Sequence, residues 1–288
     1  MAQVRKQGLS RAALARRVGS LAIYALLSVG ALGMMMPFLY SFSTSLKRNV
    51  FAFEFPPQLI PLHPTLQNYV EAWTSNNFQL YFWNSLIVAT LTMLLSLVVA
   101  STQAYAFARL RFPGKNAVFM LYLITMMIPS TVMILPQFVL ARTFGLLNSL
   151  PALVVVYVAG GIPFQTFMLR GFFESLPREL EESAYIDGAN RFVIFSRIAL
   201  PLAKPALGTL AIFSFLGAWD EFTWALTVIN DVGKRTLPIA IRLFQGQHAT
   251  QWGLVFAASM IAIVPVMVVF VAFQKYFVRG IAAGAVKG

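Results

Sequence analysis

Side chains able to do chemistry are scarce in this chain and gathered in two places. Five of its ten acidic residues fall between Glu174 and Asp187, four of them in a stretch running Pro177-Arg178-Glu179-Leu180-Glu181-Glu182-Ser183-Ala184-Tyr185-Ile186-Asp187-Gly188. The second place is the adjacent pair Asp220-Glu221, framed by Trp219 and Trp224 inside an otherwise apolar run. Carboxylates in these settings suit docking to a cationic partner, lining of a polar path or hydrogen bonding within the fold. They assemble no hydrolytic site. Cysteine is absent, which excludes disulfides, thiolate metal sites and cysteine nucleophiles. The two histidines, His63 and His248, are far apart and in loops, and no H-E-x-x-H, G-x-x-x-x-G-K-[ST] or G-x-S-x-G motif occurs. No catalytic residue, metal or cofactor is assigned, and the chain is read as no enzyme.

The elements that must position these groups follow from composition. Of the 288 residues, 58% are hydrophobic and 11% charged, with a mean hydropathy of +0.72, whereas soluble domains are about 25% charged. The solvent for such a surface is lipid. Six apolar segments of about 20 residues each, the length needed to cross a bilayer, lie at 18–40, 83–105, 117–141, 150–169, 206–229 and 254–273. Prolines 37, 129, 136, 163 and 265 fall inside them, and membrane bundles tolerate such kinks. The expectation is an all-α membrane protein of six transmembrane helices forming a single domain over 1–288.

Basic residues set the orientation. With both termini on one side, 16 of the 22 Lys and Arg residues fall on that face, leaving Lys47, Arg48, Arg142, Lys234, Arg235 and Arg242 on the other. The basic face is cytoplasmic. This assigns a cytoplasmic N-terminal segment (1–17), a proline-rich outside loop (47–81), a cytoplasmic loop (171–204) and a cytoplasmic tail (275–288). The net charge of +12 is thereby accounted for by topology and anionic lipid, without nucleic acid. The first apolar run is too long for a cleavable signal peptide.

The acidic loop reads as helix–turn–helix. Pro177 can open a helix, and Glu179, Glu181 and Glu182 suit its positive end. Gly188 can close it with a positive φ. Asn190 can cap a second short helix carrying Phe192, Phe195 and Ile198, with Pro201 and Pro205 stopping it. A loop acidic at one end and apolar on one face is built to dock against a protein. Asp220 and Glu221, read as lying within the fifth span, line a polar path with the tryptophans offering flat apolar faces, or else snorkel near the outer leaflet or make a structural bond to another helix. As helical neighbours they would point about 100° apart and can divide these roles.

The central stretch resembles the cytoplasmic signature loop of ABC importer permeases. Its matches are Glu182-Ser183-Ala184, Gly188 six residues after the glutamate, and Ile198-Ala199-Leu200-Pro201 beginning ten beyond the glycine. Ser183 stands where alanine is more usual. Further stretches are similar to the carbohydrate-uptake, maltose-type branch and its six-span member: Ala104 to Phe112, Met127-Ile128-Pro129, Gly161 to Phe164, Tyr276 to Gly280 and Gly284 to Gly288. The resemblance implies the type I ABC importer permease fold in a prokaryotic inner membrane. It implies a second, related permease, two copies of an ABC ATPase that hold the ATP and magnesium, and an extracytoplasmic sugar-binding protein. Glu181, Glu182, Ser183, Ala184, Asp187, Gly188, Ile198, Leu200 and Pro201 then form the loop coupled to the ATPase, with Glu182 facing an ATPase arginine. Trp219, Asp220, Glu221 and Trp224 are the candidates for the path of a sugar or polyol. The rival reading, an ion-coupled secondary transporter, needs repeated halves and mid-membrane carboxylates, and only Asp220-Glu221 supports it.

Overall fold

The computed structural model describes residues 2–48, 50, 58–245 and 250–285, with side chains between residues 17 and 276. Phe51, Phe53, Phe55, Pro56 and Pro57 of the outside loop, and Gln247 and His248, lie outside the described residues. So do the last three residues of the tail.

Runs of apolar residues without a local polar competitor give long helices. These are α1 (Ala2–Ser45), α3 (Phe78–Arg109), α6 (Leu150–Ser175) and α13 (Trp252–Ala285). Four helical stretches, Arg17–Ser45, Phe78–Arg109, Leu150–Ser175 and Trp252–Tyr276, are long and apolar enough to cross a membrane. A fifth candidate is bent by 76°, where Arg191–Leu202 meets α10 (Lys204–Trp219). Strands are absent among the described residues, which hold only one bridge pair, Gln245 with Thr250.

Two expected spans are discontinuous. The segment 117–141 is α4 (Lys115–Met126) and α5 (Ile134–Thr143), separated by turns around Pro129. Proline removes a donor and drives the residue before it out of the α region, so Ile128-Pro129 breaks the helix rather than kinking it. The segment 206–229 is α10 followed, after a break at residues 220–222, by α11 (Thr223–Val228). Asp220 and Glu221 therefore lie between two helices, not within one. Short helices complete the chain: α2 (Gln67–Thr74), α7 (Glu179–Ile186), α8 (Arg191–Ile194), α9 (Leu200–Leu202) and α12 (Leu237–Leu243).

Three buried clusters stack along the bundle. One centres on Phe78, Tyr81, Phe215, Trp219 and Leu254. Another holds Val88, Leu153, Trp224 and Val228, and the third Tyr105, Leu169, Phe173 and Leu210. Close approach of helices demands glycine at two points: a Cβ on Gly208 would lie 2.7 Å from Tyr276, and one on Gly253 2.8 Å from Asn68 Nδ2. Asn68, buried, donates to Ser45 O (2.8 Å) and Lys47 O (2.7 Å), tying α2 to the carbonyl end of α1. No residue in the membrane-length window of α1 is buried, so lipid or another subunit must cover its apolar surface.

Candidate functional site

The acidic loop begins where α6 ends. The first turn of α7 carries Glu179, Glu181 and Glu182 at the positive end of its dipole, and the helix opens at Glu179 behind Arg178 rather than at Pro177. At its far end Gly188 takes φ +84°. Gly188 N–H donates to Tyr185 O (3.0 Å) and Ala189 N–H to Ala184 O (2.9 Å), the paired bonds of a Schellman ending. Asn190 Oδ1 accepts from Val193 N–H at 2.9 Å and caps α8. Both helix ends thus form as the sequence predicts. Pro201 does not stop the second helix. A π turn over Phe195–Ala199 intervenes, and its wider winding accommodates the proline that an α-helix would exclude. The chain bends only at Ala203, ahead of Pro205.

Within this loop the two adjacent glutamates diverge. Glu181 turns inward: its carboxylate pairs with Arg109 at 2.9 Å, with only 6% and 14% of the two side chains exposed. Tyr105 Oη donates to the same carboxylate at 3.4 Å, and Arg109 Nη2 donates to Leu176 O at 2.7 Å. The end of α3 therefore holds both the entrance and the first turn of α7. Glu182, Ser183 and Asp187 are exposed, as are Tyr185, Ile186 and Phe192. Ala184 is buried beneath them, Ile198 and Leu200 are half-buried, and Pro201 is exposed. A cavity of about 240 Å³ beside the ion pair gathers Arg109, Arg111, Lys115 and Arg178 around Glu181 and Glu182. Burial, reinforced by the charges of Arg170, Arg178 and Arg111, lowers the pKa of the Lys115 ammonium.

The second acidic pair is also divided. Glu221 Oε1 accepts from Trp224 N–H at 2.7 Å, and Oε2 accepts from Ala225 N–H at 3.0 Å and from Tyr157 Oη at 2.6 Å. It caps α11 and binds that helix to α6. Asp220 is exposed and lines a cavity of about 330 Å³ with Trp219, Phe222, Arg242 and Gln245; Arg242 donates to Gln245 Oε1 at 2.8 Å across its rim. The two tryptophans are enclosed by this chain's own side chains, 3% and 4% exposed. Trp219 stacks on Phe215 (5.6 Å, 15°) and meets Phe82 edge-on (5.8 Å), while Trp224 sits in the cluster of Val88 and Leu153.

Sequence reasoning did not find Arg109 and Tyr105 as partners of Glu181, or Tyr157 as the partner of Glu221. A usable signal existed for the first: Arg109 is the cation that ends the uncharged interval opened after Glu71. No comparable signal marked Tyr157.

An all-helical bundle with an exposed acidic helix–turn–helix between long apolar helices has the form of a membrane permease component. The chain belongs to the family described as binding-protein-dependent transport system inner membrane component, matched over residues 93–283, the permeases of ABC importers. It is 37% identical over 254 residues to the sulfoquinovosyl glycerol transport system permease of Agrobacterium fabrum, covering 88% of this chain and 89% of that one. It is 38% identical over 233 residues to the trehalose/maltose transport system permease of Thermococcus litoralis (80% and 84% covered). A diacetylchitobiose uptake permease of Streptomyces coelicolor is 35% identical over 257 residues (89% and 93%). The fold matches a bacterial ABC transporter involved in alginate import with a TM-score of 0.74 at 24% identity, covering 91% of this chain and 97% of that one.

Proposed function

We propose that this chain is the sugar-conducting permease subunit of an ATP-driven importer, paired with a second permease and moved by separate ATPase subunits docked on the loop 171–204. The observation that carries the reading is the division of labour in α7. Glu181 is fastened to Arg109 at the end of a long helix, while Glu182, Tyr185, Ile186 and Phe192 stay exposed. A load applied to the exposed face passes through the ion pair into α3 as a nearly rigid body. The bistable element is the bundle, and the docked loop supplies the bias between its outward- and inward-open arrangements. Relatives named for sugar uptake support carbohydrate or polyol as cargo. The basic-face rule supports both termini, and this loop, on the cytoplasmic side. An extracytoplasmic receptor delivering to the opposite mouth, near Asp220 and Arg242, completes the cycle.

Reconstitution tests it. Proteoliposomes holding this chain, its companion permease and ATPase should accumulate sugar only with ATP on the loop side and receptor on the other. Sugar movement by this chain alone down an ion gradient would overturn the proposal.

A further inference from the structure

Five cations gather where α3, α4, α6 and α7 come together: Arg109, Arg111, Lys115, Arg170 and Arg178. Three carboxylates stand among them. Arg109 pairs with Glu181 at 2.9 Å and Arg170 with Glu174 at 2.8 Å, while Glu182 is exposed on the docking face. Arg111, Lys115 and Arg178 have no ion pair among the described residues. The first turn of α4 supplies no carboxylate, although that of α7 has three. Lys115 is half-buried, and its ammonium donates to Leu110 O at 3.2 Å. Burial lowers its pKa, and Arg170, Arg178 and Arg111 lower it further against Glu174 alone.

Gly114, at φ +76°, turns the chain between α3 and α4 so that Arg111 and Lys115 line two cavities. One, of about 240 Å³, reaches α7 and includes Arg178. The other, of about 350 Å³, opens beside Phe112, Asn116 and Ala117 at the start of α4. Beyond it α4 has no buried residue, and Val118, Leu121 and Ile124 (41%, 60% and 48% exposed) form an aliphatic row at three-residue spacing. The twelve residues of this helix rise about 18 Å, close to the roughly 15 Å of hydrocarbon in one leaflet. Lys115 then stands at the level of the headgroups, and the break at Pro129 near the bilayer centre.

Fixed positive charge at headgroup depth, above an aliphatic row one leaflet long, complements a molecule with an anionic head and acyl chains. A zwitterionic headgroup fits less well, because its own cation sits beside the phosphate. We propose that Arg111, Lys115 and Arg178 bind the phosphate of an anionic phospholipid of the cytoplasmic leaflet, with its acyl chains lying along α4. Arg178 O also accepts from the N–H groups of Glu181 (2.9 Å) and Glu182 (3.0 Å), so the bound lipid braces the entrance of α7. From the importer reading this inference takes only the side of the membrane on which the loop lies.

The test uses the full assembly of this chain with its companion permease and ATPase in phosphatidylcholine nanodiscs. A trace of phosphatidylglycerol carrying a diazirine on one acyl chain is added and photolysed, and label on peptides covering residues 115–126 is measured by mass spectrometry. A phosphatidylcholine probe with the same chain is the comparison. The glycerol-headed probe should label this segment roughly tenfold more. Arg111→Ala combined with Lys115→Ala should bring the two probes level. Arg111→Glu, a change on an exposed side chain, should do the same and serves if the double variant does not assemble. Equal labelling by both probes in the unsubstituted assembly would mean ordinary surrounding lipid and would overturn the inference. So would absence of label from either probe, because the companion permease or the ATPase would then cover this face. Displacement of the glycerol-headed probe by excess inorganic phosphate would reduce the site to one for a free anion and overturn the lipid assignment. ATP-driven sugar import is scored separately on the same assembly in vesicles. Its failure beside an intact lipid preference would overturn the importer reading and leave this one standing.

Discussion

Two pairs of adjacent carboxylates, one at each functional region, are each split between an inward and an outward role. In α7 Glu181 is buried against a cation and Glu182 is exposed. At the break after α10 Glu221 is saturated by two backbone N–H groups and a tyrosine hydroxyl, and Asp220 is exposed. The inward partners differ in kind. Arg109 belongs to a distant helix, so the Glu181 bond joins two bodies that a partner can push on. Glu221 chiefly serves the helix that begins two residues later, so its loss unravels a local cap. In this chain each acidic pair carries one structural and one available carboxylate, and the origin of the inward partner separates a bond that can transmit force from one that holds a local shape.

The largest effect is expected from the available member of the first pair. Glu182→Lys reverses the charge on the docking face and should abolish receptor-stimulated ATP hydrolysis by the assembly, with insertion of the chain unchanged. Normal stimulation would remove Glu182 from the interface. Next comes the bond that transmits. Arg109→Ala leaves Glu181 buried without its cation, a change worth about 3–5 kcal/mol when one partner of a buried pair is deleted. The expected outcome is loss of transport and looser protection of α7 amides in hydrogen exchange. Unaltered exchange would show that α7 is held by packing alone.

How much of this was legible in the sequence depended on how local the cause was. The positive φ of Gly188, the Asn190 cap and the acidic first turn are decided within a few residues, and the structure has all three. Continuity of spans 117–141 and 206–229 was misjudged because a hydropathy run reports burial in lipid and not whether the backbone keeps winding. Pro129 breaks its segment while Pro163 lies inside an unbroken α6, and residue type alone does not separate the two. The inward turn of Glu181 depends on Arg109 far away in sequence, which no periodicity reveals. For the same reason Trp219 and Trp224, read as flat faces for a ligand, could not be seen to pack against Phe215, Phe82 and Val88.

Gly188→Val should have a smaller, local effect. The left-handed conformation costs a side-chain-bearing residue about 1–2 kcal/mol, and more for a β-branched one, while no atom crowds the new Cβ. The loop should fray without the chain misfolding, and copurification with the ATPase should weaken. Undiminished copurification would show that the turn need not be rigid for docking.

The smallest and most discriminating difference lies at the second pair. Glu221→Gln keeps the shape but puts an amide NH2 where an acceptor is required. Oε1 and Oε2 both accept now, so either orientation sets N–H against Trp224 N–H or Ala225 N–H. A buried donor left unpaired costs about 1–3 kcal/mol, and thermal stability in detergent should fall. Asp220→Asn is isosteric on an exposed residue with no bond to a backbone cap, and should leave stability unchanged. Its effect belongs to transport instead, since it removes the one negative charge from the cavity shared with Arg242 and Gln245. If Asp220→Asn lowered stability as much as Glu221→Gln, the division of the pair into a cap and an available carboxylate would fail. If it changed neither stability nor transport, that cavity would lie off the sugar's route.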